Sequence, residues 1–297
     1  MDIIGKKNWY FLVSLLLVAT GLVSFFTWGL NLSIEFTGGS RLTLEFKEKV
    51  NDKTVGAIIN NLKEEGIKLS TVEKSNNLAF VRTEVVDQKQ NKKFLENLKK
   101  DVGKFELREF ETIGPSIGSE ITANAIKALV IASILIVIYI TWAFRKVPKP
   151  ASSVRFGVAA IFALIHDVLI TVGAFAIFGH FFGVEIDSLF VTALLTIIGF
   201  SVHDTIVVFD RIRENLIKSG STNFSGVVNS SILETIDRSL NTSFTVVLVL
   251  LAMLLFGGET IRWFVVALLI GIVSGTYSSI FVASPLLVIW HNFRSKK

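Results

Sequence analysis

The stretch Leu189-Phe190-Val191-Thr192-Ala193-Leu194-Leu195-Thr196-Ile197-Ile198-Gly199-Phe200-Ser201-Val202-His203-Asp204-Thr205-Ile206-Val207-Val208-Phe209 decides how this chain is read. It is long and apolar enough to cross a bilayer. Yet His203 and Asp204 lie well inside it, and it runs on into Asp210-Arg211-Ile212-Arg213-Glu214. An acidic or basic side chain at mid-bilayer costs about 2.5–3.5 kcal/mol on insertion scales, so ionisable groups kept there point to a polar function within the membrane.

Composition places that stretch in a membrane and not in a buried soluble helix. Of 297 residues 51% are hydrophobic and only 19% charged, with 25 Phe against 4 Pro, and the mean hydropathy is +0.59. Such a balance marks an integral membrane protein. Cysteine is absent, which excludes a disulfide framework, a thiolate metal site and cysteine catalysis together. The net charge of +5 belongs to loops. There is no basic stripe interleaved with aromatics, so a nucleic-acid partner is set aside.

Hydropathy windows predict a polytopic α-helical protein with six spans, near Trp9–Gly29, Ala125–Phe144, Val154–Phe178, Leu189–Phe209, Leu240–Phe256 and Phe264–Trp290. The fifth is the weakest, because Val246–Phe256 is too short alone and must recruit Asn241, Thr242, Ser243 and Thr245. The first follows Lys6-Lys7, exceeds a signal-peptide core and lacks a small-residue cleavage site, so it reads as an uncleaved anchor. Lys6, Lys7, Arg145, Lys146, Lys149, Arg155, Arg211, Arg213, Lys218, Arg238, Arg294, Lys296 and Lys297 all fall on one side. The short loops Gly179–Ser188 and Gly257–Trp263 offer only Arg262 on the other. Both termini are therefore expected in the cytoplasm, and the long segment 31–124, exempt from the charge rule, outside it.

That segment reads as a small folded domain between the first two spans. Ser40–Lys47 alternates as a strand, and Asn51-Asp52 offers an N-cap to a helix carrying Val55, Ile58, Ile59 and Leu62. Leu69–Lys74 and Leu78–Thr83 read as a hairpin turning at Ser75-Asn76-Asn77. A helix over Val86–Lys100 buries Phe94, Leu95 and Leu98, and Lys104–Thr112 is a last strand. The order β-α-β-β-α-β implies an α+β, ferredoxin-like unit. It has no catalytic cluster, and its charges read as a solvated face. The expected division is 1–30 for tail and first span, 31–124 for the extracytoplasmic domain, and 125–297 for a five-helix bundle with cytoplasmic loops.

Two glycine-bearing junctions flank the domain, Glu35-Phe36-Thr37-Gly38-Gly39-Ser40 and Ile113-Gly114-Pro115-Ser116-Ile117-Gly118. Physics alone reads them as turns, since Gly supplies positive φ and Pro fixes φ. Neither is a phosphate loop, for no Lys-Ser/Thr pair follows.

Five motifs now carry a resemblance. They are Phe36-Thr37-Gly38-Gly39 after the first span, Gly114-Pro115-Ser116-Ile117-Gly118 before the second, Leu164-Ile165-His166-Asp167 in the third, Leu195 to Glu214 in the fourth, and Arg238-Ser239-Leu240-Asn241-Thr242-Ser243 at the fifth, followed by Phe256-Gly257-Gly258. In order and membrane depth they resemble the SecD/SecF family of protein-export membrane proteins, on its SecF side, related to the RND superfamily. The resemblance covers essentially the whole chain. It implies a SecD partner with a matching six-span half, packed about a pseudo-two-fold axis along the membrane normal. It also implies action with the SecYEG channel on a translocating polypeptide, in the cytoplasmic membrane of a bacterium or archaeon. Proton motive force would drive it, or sodium ions as in some relatives. No enzyme activity, cofactor or metal follows from it.

Helical geometry sorts the candidate residues. At about 100° per residue, Thr192, Thr196, Gly199, His203 and Asp210 share one face of the fourth span, and Asp204 points about 100° away. In the third span Ala160, Ala163, Asp167, Thr171 and Ala174 form a small-and-polar stripe, and the two stripes are expected to meet inside the bundle. Neighbouring members of each His-Asp dipeptide diverge, so neither chelates a metal alone. Asp204 reads either as a buried carboxyl that orders packing or as a group loaded with and stripped of a proton, and the resemblance favours the second. One charge moved through 100 mV is worth about 2.3 kcal/mol, which biases a two-state domain roughly fifty-fold. Arg238 is by position an interfacial arginine. The resemblance implies a part in proton transport, with a counter-charge role toward Asp204 or Asp210.

His203 departs from the family pattern, which usually has Asn there. It is a candidate proton relay or a neutral replacement for Asn. His166 and Asp167 form a second polar station, read as structural. Asp210, Arg211 and Arg213 form a charge cluster at the helix end, an anchor for topology. Gly271 and Gly275 have GxxxG spacing, with Ser274, Ser278 and Ser279 beside them, and are expected to pack closely within the bundle or against SecD. The stretch Arg211–Asp237 holds a partly amphipathic piece, Val227–Ile236, expected to be interfacial or helical.

Two other classes compete. An RND-type small-molecule or ion exporter would normally fuse two halves with two large outer domains, whereas this sequence has one small one. An intramembrane aspartyl protease could use Asp167 and Asp204, but His166 and His203 stand where its Tyr-Asp and Gly-x-Gly-Asp signatures belong.

Overall fold

A computed structural model describes residues 2–145, 147–148, 152–219 and 223–295; Lys146, Lys149, Lys296 and Lys297 of the basic loops lie outside them. The chain divides into two compact units, Met1–Asn31 with Lys127–Lys297, and Leu32–Ile126.

In the first unit, α1 (Lys7–Trp28), the later part of α5 (Pro115–Ala143), α6 (Ser153–Phe182), α7 (Ser188–Ser219), α8 (Phe224–Phe256) and α9 (Glu259–Ser278) are built from the apolar runs. A π-helical turn, Ser279–Ala283, joins α9 to α10 (Ser284–Ser295). Among the described residues, six helical segments are long and apolar enough to cross a membrane. Their outward faces are apolar, as with Leu15, Phe26, Ile134, Leu135 and Phe244. Their buried faces carry an unusual share of hydroxyls, including Ser201, Thr205, Ser239, Ser243, Ser274, Thr276, Ser278 and Ser279. Close approach of backbones makes this possible. A Cβ on Gly173 of α6 would fall 2.3 Å from Gly21 Cα of α1, and one on Gly271 would fall 2.2 Å from Ile197 Cδ1 of α7.

The helices are longer than the apolar runs. Helix α5 begins at Pro115, not Ala125, since proline is preorganised for a first helical turn where its missing N–H is no loss. The Gly114–Gly118 junction is thus a helix start and not a turn. Of the two readings of Val227–Ile236, interfacial or helical, the second holds: helix α8 runs unbroken over it, and Val227, Val228, Ser231, Ile232 and Thr235 are buried along it. The main-chain amides of Ile3 and Ile4 donate to Asn229 Oδ1 of α8, tying the amino-terminal segment to this end of the bundle. At the other end the carbonyl of Asn31 accepts from the amide of Ile186 at 2.7 Å. The π turn sits just before Pro285, which has no N–H to continue the ladder, and Ser284 Oγ donates to Ser279 O at 3.0 Å there.

The second unit holds α2 (Ile34–Thr37), β1 (Gly39–Phe46), α3 (Asp52–Glu64), β2 (Leu69–Ser75), β3 (Leu78–Thr83), α4 (Gln88–Val102) and β4 (Phe105–Ile113). The four strands form one antiparallel sheet in the order β2-β3-β1-β4. Asn51 caps α3 by accepting from Thr54 N, and Asp87 with Gln90 makes a capping box at α4. Asn76 takes φ 51° in the β2–β3 turn. The sheet buries Leu42, Leu44, Ala79 and Val81 against Ile58, Leu62, Phe94 and Leu98 of the two helices. Helix α2 was not expected: its four residues have no periodicity to read, and Ser33 starts it by accepting from Glu35 N.

Candidate functional site in the helix bundle

Two aspartates of the first unit are buried, and their surroundings differ. Asp204, 6% exposed, sits midway along α7 facing α8. Ser239 Oγ donates to its Oδ1 at 2.5 Å, while Oδ2 is buried without a partner among the described residues. One turn along α8, Ser243 Oγ meets Thr276 Oγ1 of α9 at 2.5 Å. Beside Asp204, Thr205 Oγ1 meets Ser279 Oγ of the π turn at 2.8 Å. A seam of hydroxyls from three helices therefore runs past a carboxyl that is only half satisfied.

Asp167 of α6, 1% exposed, is fully furnished. Its Oδ2 accepts from Ser201 of α7 at 2.6 Å and Ser278 of α9 at 2.7 Å, and its Oδ1 from Ser274 of α9 at 2.7 Å. His166 Nδ1 lies 3.0 Å from Oδ1. An ionised carboxyl has about four acceptor sites, so four donors suit it in its charged form. Asp167 ties α6, α7 and α9 together, whereas Asp204 has spare capacity.

The remaining expected residues spread differently. His203 is exposed, with Thr192, Thr196 and Gly199 on the same outward stripe. The face of α7 expected inside the bundle thus looks out, while Ala160, Ala163, Asp167 and Thr171 of α6 are buried. The reason is that α9 packs onto the opposite face of α7, through Gly271 against Ile197 and Gly275 against Ser201. Arg238 is exposed and forms no ion pair with Asp204 or Asp210 among the described residues. Asp210 is paired with Arg213 at 2.7 Å, and Arg211 with Glu214 at 2.8 Å and with Glu234 of α8. Ser239, adjacent to Arg238, is the residue that reaches Asp204. In the second unit, Gly38 (φ 72°) and Gly39 (φ 125°) need positive φ, and a Cβ on Gly118 would fall 2.9 Å from Gly38 N. Gly38, Gly39 and Pro115 line a cleft of about 600 Å³ with Arg82 and Glu84. No group of three His, Asp or Glu placed to hold a metal occurs among the described residues.

The serines that furnish both aspartates were in view but without a role. Ser274 and Ser278, four residues apart, share a helix face next to the glycine pair, which was the available signal.

A multi-pass membrane protein with a polar seam through its bundle is the class these features define. The chain belongs to the SecD/SecF family of protein-export membrane proteins: the profile described as "Protein export membrane protein SecD/SecF, C-terminal" matches residues 92–293. That described as "SecD/SecF GG Motif" matches residues 23–50, which include Gly38 and Gly39. "Protein translocase subunit SecF" of Thermobaculum terrenum is 47% identical, with 98% of this chain and 94% of that protein covered. Its counterpart in Anaerolinea thermophila is 42% identical, covering 98% and 94%. The crystal structure of SecDF, a translocon-associated membrane protein from Thermus thermophilus, superposes with a TM-score of 0.84 at 35% identity, over 98% of this chain. This chain spans 39% of that longer one.

Proposed function

We propose that the chain is the SecF-type subunit of a SecD/SecF pair, using proton motive force to promote polypeptide translocation through a SecYEG channel. Family membership supports the translocation role, and the naming of the solved relative as SecDF supports a SecD-type partner. Family membership supports a bacterial or archaeal cytoplasmic membrane setting, and the loop charges support both termini inside. The strand order β2-β3-β1-β4 with two helices on one face supports a ferredoxin-like reading of the second unit, which follows one span from a cytoplasmic amino-terminal segment and so belongs on the extracytoplasmic side.

The observation that carries the coupling is the half-satisfied Asp204. Its carboxyl exchanges one proton at Oδ2 while Ser239 holds Oδ1, and its charge state biases how α7 packs on α8. Arg238 and His203 lie on the accessible side of these helices and meet the partner or the aqueous entry path.

The test is proton-dependent export in vesicles holding the chain with its SecD-type partner and channel. Asp204→Asn should abolish the stimulation by proton motive force with complex assembly intact, and Arg238→Met should reduce it strongly. Full stimulation in both variants would sink the assignment.

A further inference from the structure

The proposed coupling through Asp204 leaves one buried titratable group unused. His166 is 7% exposed, its Nδ1 is committed to Asp167, and its Nε2 is buried with no partner among the described residues. Three serine hydroxyls donate to the two oxygens of Asp167, and a carboxylate is an acceptor only, so the fourth contact is read with Nδ1–H of His166 as donor. That fixes the neutral tautomer and leaves the Nε2 lone pair free. A buried anion without a countercharge is costly, and among the described residues the only ion-pair partner within reach of Asp167 is His166.

We infer that His166 Nε2 is a second proton-binding site, separate from Asp204, whose loaded state is an imidazolium–carboxylate pair with Asp167. Uptake forms one N–H bond at Nε2 with a proton from water and moves no electrons. The Nδ1–Asp167 hydrogen bond persists in both states, so loading changes charge without dismantling the α6–α7–α9 junction.

The Tyr277 ring of α9 lies nearly parallel to the imidazole, with centroids 6.3 Å apart and planes 19° apart. Tyr277 Oη donates to Tyr10 O of α1 at 2.8 Å, and Ser14 Oγ of α1, near that hydroxyl, is buried without a well-formed hydrogen bond. The other charged groups on the elements packed against α6 are engaged or remote. Tyr10 packs on Phe281, Lys7 is at the start of α1, and Asp204 is turned to Ser239. On α7 His203 and Lys218 are exposed, and Asp210, Arg211, Arg213 and Glu214 belong to the helix-end cluster. Glu259 and Arg262 are exposed in the first turn of α9, His291 of α10 packs on Phe224, and Arg155 lies about three turns along α6 itself.

The chain has 4 histidines, which makes the site readable by nitrogen NMR of the full-length, histidine-labelled protein in lipid nanodiscs. A variant with His180→Gln, His203→Asn and His291→Gln leaves His166 as the only signal and keeps its contacts. The expected result is a bare Nε2 with protonated Nδ1 at alkaline pH, and gain of the Nε2 proton on acidification. Asp167→Asn should abolish that proton gain. An Nε2 that carries a proton throughout, or never gains one, overturns the proposal. Asp204→Asn should leave this titration in place. Silence of Asp204→Asn in export would therefore defeat only the coupling role of Asp204, and a His166 that does not titrate would defeat only the second proton site.

Discussion

Ser239 of α8 donates to Asp204 Oδ1 of α7 at 2.5 Å, and on the same carboxyl Oδ2 is buried and unpaired among the described residues. Asp167, 1% exposed, has donors at both oxygens. A buried anion needs its acceptor sites filled, because each unfilled one forfeits the solvation it had in water. The bundle therefore contains one aspartate with hydrogen-bond partners at both oxygens and one with a partner at a single oxygen.

The hydroxyl of Ser239 should matter through Asp204 alone. Ser239→Ala leaves the carboxyl with no hydrogen bond and should lower unfolding stability by about 1–3 kcal/mol, the ordinary cost of orphaning a buried polar group. Ser239→Thr keeps the hydroxyl and should recover most of it. Combining Ser239→Ala with Asp204→Asn should cost clearly less than the sum, as expected for groups in direct contact. Denaturant titration of the detergent-solubilised chain measures these three variants and the Asp204→Asn single, and strict additivity would mean that the hydrogen bond carries no weight.

His203 occupies an exposed position on α7, so its replacement by Asn should shift unfolding stability by no more than about 0.5 kcal/mol. If it stands only as a neutral polar group, His203→Asn keeps full proton-driven export with the partner present. Loss of export at unchanged stability would make it a proton carrier.

How far the sequence alone reached is visible in particular residues. The strands and helices of the second unit were legible because alternation and capping are local: Leu78–Thr83 has the expected bounds, and Asn51 caps where expected. Helix ends were less so: the helix reading of Val227–Ile236 was open, but its continuity with the fifth span, like the start at Pro115, is a matter hydropathy does not register. Helical phase separated His203 from Asp204, but it could not say which face turns inward. That depended on α9 docking at Ile197 and Ser201, a contact between segments far apart in sequence. Ser239 went unread as a partner of Asp204 for the same reason: they lie 35 residues apart, and only the α7–α8 hairpin brings them together.

In the second unit the acid limb of stability should depend on Glu45. Arg108 Nε donates to it at 2.5 Å and Asn77 Nδ2 at 2.9 Å, and the Arg108 hydrogen bond, with that of Asn77, holds the carboxyl below its ordinary range. A carboxyl lowered in the folded state contributes stability above its unfolded value, and that contribution is lost as pH falls through the folded value. Thermal unfolding followed from about pH 7 down to about pH 3 should therefore fall less steeply in Glu45→Gln than in the parent. Equal slopes would show that this partly exposed pair contributes nothing.

The two glycine contacts in the bundle should respond differently to the same change. Gly271→Ala places a methyl 2.2 Å from Ile197 Cδ1, so a side chain must yield, and overpacking of this kind costs about 1–3 kcal/mol. Ile197→Ala vacates that volume, so the double variant should regain stability relative to the sum of the singles. Gly173→Ala instead meets Gly21 Cα at 2.3 Å, where backbone faces backbone and no side chain can be trimmed. Its cost should be the larger of the two, and trimming neighbouring side chains on α1 and α6 should not relieve it. A double-mutant cycle at Gly271 and Ile197, run beside Gly173→Ala with side-chain truncations on α1, separates the two cases. Rescue of Gly173→Ala by such truncations would mean that α1 and α6 approach less closely than Gly21 and Gly173 require.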